Sequence, residues 1–304
     1  MQQSPETTPF EFSAVIVTYN NVDIIIKCLK SLAGALAGYT SQILVIDNHS
    51  TDGTVEVLKS FAKQQQFFSH LVIDVNPENR GYTKAVNQGL RKAAGNYILI
   101  LNPDVIPFDS TLRVLRRRLE DDKAIGIVAP QLLNMDGTIQ PSCRYFPGKL
   151  DVVFKVLSLD LFFPDIFGFR RWYMPDFDFN SSRDVDQPQG AFWLVSKEVV
   201  DRVGFLDETF FMFFSDVDFC YRVRQSGWRI HFCAEAYALH QQGASVFQCR
   251  PRMIVSSHRA FVQYFSKYDT CRGGRLATKW IEFLLLVATL PRLILQQIER
   301  RQKQ

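Results

Sequence analysis

Short apolar runs alternate with amphipathic stretches over residues 12–129. Residues 12–18, 42–46, 71–75, 97–101 and 125–129 are apolar, too short for helices and bounded by turn formers, so they predict buried strands. Between them, Ile25, Cys28, Leu29 and Leu32 recur at helical spacing over residues 22–32, with Asn20 or Asn21 as the expected N-cap. Further helices are predicted on the apolar face Val55, Leu58, Phe61 and Ala62, over 82–94, and over about 110–120. This alternation predicts an α/β fold: a mostly parallel central sheet with helices on both faces.

The pattern changes after Ala129. Residues 131–140, centred on Met135-Asp136-Gly137, read as a hairpin. Residues 146–180 show no period, are dense in aromatic and apolar residues, and are broken by Pro147, Pro164 and Pro175. Residues 190–196 predict a strand. The run Phe210 to Phe214 leads into Ser215-Asp216-Val217-Asp218, which opens a helix reaching about Gln225. Residues 229–232 and 236–240 predict two short strands, and 253–304 a helical tail. The expected organisation is a main domain over 10–250, with halves 10–130 and 131–250, and a helical C-terminal segment over 251–304.

Composition narrows the class only slightly. The chain has 304 residues, 47% hydrophobic and 22% charged, enough for one large or two small domains. A net charge of +4 is too mild to argue for nucleic acid. Six cysteines are scattered without a Cys-x-x-Cys pair, which indicates neither a zinc site nor a disulfide framework. Reduced thiols and a cytoplasmic setting are expected, and the polar residues 1–9 lack a signal-peptide core.

In a parallel sheet the carboxyl ends of the strands share one edge, where ligands bind. Three such ends are polar: Thr18-Tyr19-Asn20, Asp47-Asn48 and Asn102-Pro103-Asp104. Pro103 cannot donate to a ladder, so its strand stops there and Asp104 falls in the edge loop, where a carboxylate can hold a hard cation against a diphosphate. Ordinary turn chemistry accounts for the same residues. Asp47 can accept the N3–H of uracil or thymine, or cap an Asx-turn. Tyr19 can stack on a base. Asn79 and Gly81 sit in a loop that can bring backbone near a nucleotide, and Asn87 lies on the helix that follows. Gly-x-Gly-x-x-Gly and Gly-x-x-x-x-Gly-Lys are absent, which argues against dinucleotide and P-loop sites. Asp216 and Asp218 open a helix, as capping requires; a helix N-terminus also favours an ionised general base. His240 ends a strand, where a structural role and a metal-ligand role both remain open.

VIVTYN, VIDNHSTDGT, ENRGYTKAVNQGL, LNPDV, QGAFWLVS, VGFLDETFFMFFSDVDFCYRVRQSGW and LHQQGAS succeed one another in an order that resembles the family-2 glycosyltransferases of the rhamnosyltransferase-like branch, over residues 12–245. Each motif alone is weak; the succession is specific. The resemblance implies a GT-A fold and inverting transfer from a nucleoside-diphosphate sugar, with Mg²⁺ or Mn²⁺. It places Asp47 at the base, Asn102 and Asp104 at the metal and diphosphate, Asp216 as the base catalyst and His240 near the metal. Asn102 stands where many relatives have Asp, and Ser215 where they usually have Glu. The implied donor is a dTDP- or UDP-sugar, first of all dTDP-rhamnose. The implied acceptor is a hydroxyl of a glycan or lipid-linked glycan, in cell-surface polysaccharide synthesis. A sugar nucleotidyltransferase and a non-catalytic glycan- or lipid-binding scaffold are the competing readings.

The apolar stretch 283–290 is too short to span a bilayer. Lys279 on one side and Arg292, Arg300, Arg301 and Lys303 on the other predict a peripheral contact at the cytoplasmic face of an anionic membrane. Trp172 and Tyr173 are of the types that add a second contact. The competing expectation is a helix packed on the catalytic domain or a dimer contact. Oligomeric state is not legible in the sequence.

Overall fold

The structure is a computed structural model that describes residues 10–156, 163, 166–241, 250–269, 273–285 and 287. Among the described residues eleven strands follow in chain order: β1 (Phe10–Thr18), β2 (Ser41–Asp47), β3 (His70–Val75), β4 (Gly95–Leu101), β5 (Val105–Pro107), β6 (Ile125–Leu133), β7 (Cys143–Arg144), β8 (Arg183–Asp184), β9 (Gln187–Pro188), β10 (Phe192–Ser196) and β11 (Arg229–His240). The main sheet runs β3–β2–β1–β4–β10–β6–β11–β5, with β8 also on β11. Strands β1 to β4 are mutually parallel, as are β6 and β11. β10 is antiparallel to both β4 and β6, so a strand of the second half joins the two parallel groups into one sheet.

The continuous burial of β1 has a simple cause. Phe12, Ala14 and Ile16 point into one core, against Ile25, Leu29 and Leu32 of the Ile25–Ala35 helix and Leu112 and Leu115 of the Thr111–Asp121 helix. Val15 and Val17 point into the other, against Ala85, Val86 and Leu90 of the Tyr82–Leu90 helix and Phe219 and Val223 of the Ser215–Gln225 helix. A strand covered on both faces cannot alternate apolar with polar.

Several boundaries differ from those the sequence predicts. The first helix begins at Ile25, because the Asn21 carbonyl accepts from the N–H groups of Ile24 and Ile25 while the Asn21 side chain accepts from Thr18 and Tyr19. Neither Asn20 nor Asn21 caps that helix with its side chain. The third helix ends at Leu90. The two short strands expected at 229–240 are one strand, β11, whose register against β6 slips between Cys233 and Tyr237. The expected hairpin at 131–140 closes with a bridge between Leu133 and Ile139.

Two helices, Arg250–Tyr268 and residues 273–285, follow the sheet. Phe210, Phe214 and Val217 form a third core with Phe261, Tyr264, Phe265, Ile281 and Leu285. The apolar run before Asp216 is therefore the floor on which the C-terminal helices sit. Trp172 packs on Phe214 and Phe261, and Tyr173 lies beneath the cations of Arg144 and Lys155, so neither is a free interfacial anchor. Among the described residues no helix is long and apolar enough to cross a membrane. Residues 288–304, which hold Arg292, Arg300, Arg301 and Lys303, lie outside the described residues.

Candidate active site

The register of the sheet assembles the predicted residues. Thr18 pairs with Asp47 across β1 and β2, and Asp47 with Val75 across β3, so the polar strand ends form one edge. Asp47 is fully buried. Its Oδ2 accepts the Ser50 N–H at 2.9 Å, the Asx-turn the sequence allows. Its Oδ1 has no partner at all, although it is buried. A buried carboxylate oxygen left bare is costly, and one N–H of a ligand would satisfy it.

The neighbouring residues frame that point. Thr18 is buried and donates to the Asn21 side chain. Asn20 adopts a left-handed φ of 53°, accepts the Thr51 N–H at 2.8 Å and donates its own N–H to Ser50. It thereby fastens the loop after β1, with the half-buried Tyr19, to the loop after β2. Asn48 is a hub: it donates to Asn79 Oδ1 at 2.9 Å and accepts from Asn76 and from the Arg80 N–H. Asn79 Oδ1 also accepts the Gly81 N–H. Gly81 has a φ of 85°, and a Cβ there would lie 2.6 Å from the Phe211 ring, so only glycine fits. This glycine is where the loop from β3 meets the run before Asp216. The buried amide of Asn87 bonds Leu206 in both directions and Glu208, fixing the loop that precedes that run.

At the end of β4, Asn102 accepts the Tyr82 hydroxyl at 3.3 Å. Three residues on, Val105 of β5 pairs antiparallel with His240 of β11, and the Gln241 N–H donates to the Asp104 carbonyl at 2.9 Å. This ladder sets His240 Nε2 3.5 Å from Asp104 Oδ1, with both side chains nine-tenths or more buried. Asp104 Oδ1 has no hydrogen-bond partner. Among the described residues no group of three or more His, Cys, Asp or Glu side chains gathers to hold a metal. Asp104 and His240 bring one oxygen and one nitrogen together, atom types that could ligate a divalent cation whose shell other groups complete.

Asp216 and Asp218 separate cleanly. Asp218 is fully buried, and its Oδ1 accepts from Lys267 Nζ at 2.5 Å and Tyr268 at 2.7 Å, while Oδ2 accepts from Arg222. It is a latch that ties the C-terminal helix to the Ser215–Gln225 helix. Asp216 is half-buried and carries no cationic partner among its hydrogen bonds: Oδ2 accepts the Gln187 amide at 3.0 Å and Oδ1 the Val217 N–H. Burial pushes its carboxyl above the ordinary range, opposed by the N–H groups of Val217 and Gly190 and its own. A Cβ on Gly190 would sit 3.1 Å from that of Asp216, so the glycine makes room for the carboxylate. Tyr82 donates to Asn102 or Gly190, both at 3.3 Å, and burial and the charges of Asp216 and Asp104 raise its hydroxyl.

Sequence reasoning singled out neither Tyr82, Gln187, Gly190 nor Gln140. Tyr82 read only as the first residue of a helix, and Gln187 lies in a two-residue strand, β9, that carries no periodic signal.

A mostly parallel sheet with polar strand ends gathered on one edge is the architecture of the GT-A fold. The chain belongs to glycosyl transferase family 2, whose model matches residues 13–174. It is similar to the low-salt glycan biosynthesis hexosyltransferase Agl10 of Haloferax volcanii, 25% identical over 85% of this chain and 74% of that protein. It is also similar to the N-acetylglucosaminyl-diphospho-decaprenol L-rhamnosyltransferase of Mycobacterium tuberculosis, 26% identical over 81% of each chain. The fold matches the mannosyltransferase PcManGT from Pyrobaculum calidifontis, solved with GDP-Man and Mn²⁺, at a TM-score of 0.58 and 17% identity, over 96% of this chain and 80% of that one.

Proposed function

We propose that this enzyme transfers a sugar, rhamnose first among the candidates, from a nucleoside-diphosphate sugar to a hydroxyl of a lipid-linked glycan, with inversion, in polysaccharide biosynthesis. The observation that carries the reading is the pairing of Asp104 with His240 on one side and the half-buried Asp216 on the other. Asp216 takes the proton of the acceptor hydroxyl. The oxygen attacks the anomeric carbon from the face opposite the diphosphate, and the bond from that carbon to the diphosphate oxygen breaks. Asp104 and His240 would hold the divalent cation, which supplies charge neutralisation at the leaving diphosphate. The decaprenyl-linked acceptor in the name of the mycobacterial relative supports a lipid-linked acceptor here. The Mn²⁺ of PcManGT supports the cation.

Asp47 selects the donor. A single bare buried oxygen suits the one N–H that uracil or thymine presents at N3; guanine competes through N1–H, and adenine has no such group. In a thermal-shift panel with Mn²⁺, UDP and dTDP are expected to raise the melting temperature more than GDP or ADP. Larger stabilisation by GDP or ADP would sink the assignment of the base.

The acceptor reading gains support from residues 273–285. Ile281 and Leu285 face the core. Leu276, Trp280 and Phe283 lie on another face and are 61%, 62% and 55% exposed, continued by Val287, with the exposed cations Arg275 and Lys279 beside them. The helix thus packs on the domain by one face and offers the other to an anionic lipid surface. Full burial of a Phe-sized side chain is worth about 1.5–3 kcal/mol, so Trp280→Ser with Phe283→Ser should weaken partitioning onto anionic liposomes by roughly a hundredfold or more. Equal flotation of the double variant and the wild type would remove the membrane contact and leave the transferase assignment standing.

A further inference from the structure

The hairpin after β6 reaches the cation position through a chain of hydrogen bonds that all run one way. Asp136 is a carboxylate and only accepts; its Oδ1 takes the Thr138 hydroxyl at 2.6 Å. Thr138 bonds hold that carboxyl below the ordinary range, so it is ionised. With its proton committed, Thr138 Oγ1 accepts from Asn134 Nδ2 at 2.9 Å. The Asn134 amide is thereby oriented, and its Oδ1 accepts from Gln140 Nε2 at 3.0 Å. The same nitrogen lies 3.5 Å from the His240 carbonyl, a second acceptor that holds it in place. Gln140 must then present its oxygen, Oε1, to His240 Nδ1, 2.6 Å away. An oxygen acceptor at that distance requires Nδ1 to carry the proton. In the neutral ring the lone pair is left on Nε2, the atom that faces the bare Oδ1 of Asp104. Two lone pairs facing each other in a nearly dry site repel, a conflict that a bound divalent cation or a second proton on the ring would relieve.

We propose that Gln140 is a positioning residue: fixed by the Asn134–Thr138–Asp136 chain, it sets the tautomer and orientation of His240 so that Nε2 can bind the divalent cation. This rests on the reading of Asp104 and His240 as the cation ligands. Partners that orient a ligating histidine are typically worth about 10–100-fold in metal affinity.

The test is nitrogen NMR of histidine-labelled protein without metal, above neutral pH. The chain has five histidines, and the spectrum of His240→Ala assigns the signal. Wild type should show His240 as the neutral Nδ1–H tautomer, and Gln140→Met should lose that preference. Gln140→Glu, which keeps an oxygen acceptor, should retain it. Titration with Mn²⁺, alone and with UDP, should then broaden the His240 signal, at a concentration about tenfold or more higher in Gln140→Met than in wild type or Gln140→Glu. An Nε2–H or imidazolium form in the wild type, or equal Mn²⁺ response in Gln140→Met, overturns the role of Gln140. A His240 signal in the Nδ1–H form that Mn²⁺ leaves untouched overturns the cation reading beneath it, and the proposal with it.

Discussion

Asp216→Asn is expected to abolish transfer while leaving nucleotide binding intact. Asn keeps the size of the side chain and one of the two acceptor oxygens that meet Gln187 and the Val217 N–H, but it cannot take a proton from the acceptor. Loss of a general base costs about a hundredfold to ten-thousandfold in turnover. Asp218→Asn should act differently. Asp218 already accepts from Lys267, Tyr268 and Arg222, so its substitution loosens the C-terminal helix and lowers stability. The pH profile adds a second reading. Transfer needs ionised Asp216, and burial raises its carboxyl, so activity falls on the acid side through a value above that of an ordinary aspartate. Steady-state rates of both variants, with UDP binding measured by calorimetry, check this; near-normal turnover of Asp216→Asn places the base elsewhere.

Asp104→Ala should be the other severe variant. It removes one of the two protein groups proposed to hold the cation, and leaves the buried His240 without its facing carboxylate. Removing a group that stabilises charge developing on the leaving diphosphate costs on the order of a hundredfold or more in turnover. The loss should come with weaker Mn²⁺-dependent binding of UDP, because the nucleotide and cation bind together. His240→Ala should fall between Asp104→Ala and wild type, since the oxygen ligand remains. Full wild-type activity in excess chelator would contradict both expectations.

The strand–helix alternation was legible because each apolar run ends in polar or turn residues, and because both faces of β1 and β2 are covered. Asp47, Asp104 and Asp216 were visible for the same reason: each follows an apolar run at its end. What stayed hidden depends on distant pairing. β5 has three residues and reads as a turn, so nothing local announced that His240 would stand opposite Val105. Asp216 and Asp218 look alike in sequence; Lys267 and Tyr268, on a helix that reads as a separate tail, distinguish them. Gln140 closes an unremarkable hairpin, and its meaning arises only from the direction of four hydrogen bonds. Trp172 has the composition of a membrane anchor but a place in the aromatic core, which one-dimensional pattern cannot separate.

The most direct test of glycosyl transfer is a donor panel of dTDP-, UDP- and GDP-sugars with lipid-linked glycan acceptors and Mn²⁺. Mass detection identifies the nucleotide released, and NMR reads the anomeric configuration of the product. The account predicts release of a nucleoside diphosphate and a product whose anomeric configuration is inverted relative to the donor. Release of pyrophosphate, or a product that retains the donor configuration, would contradict it.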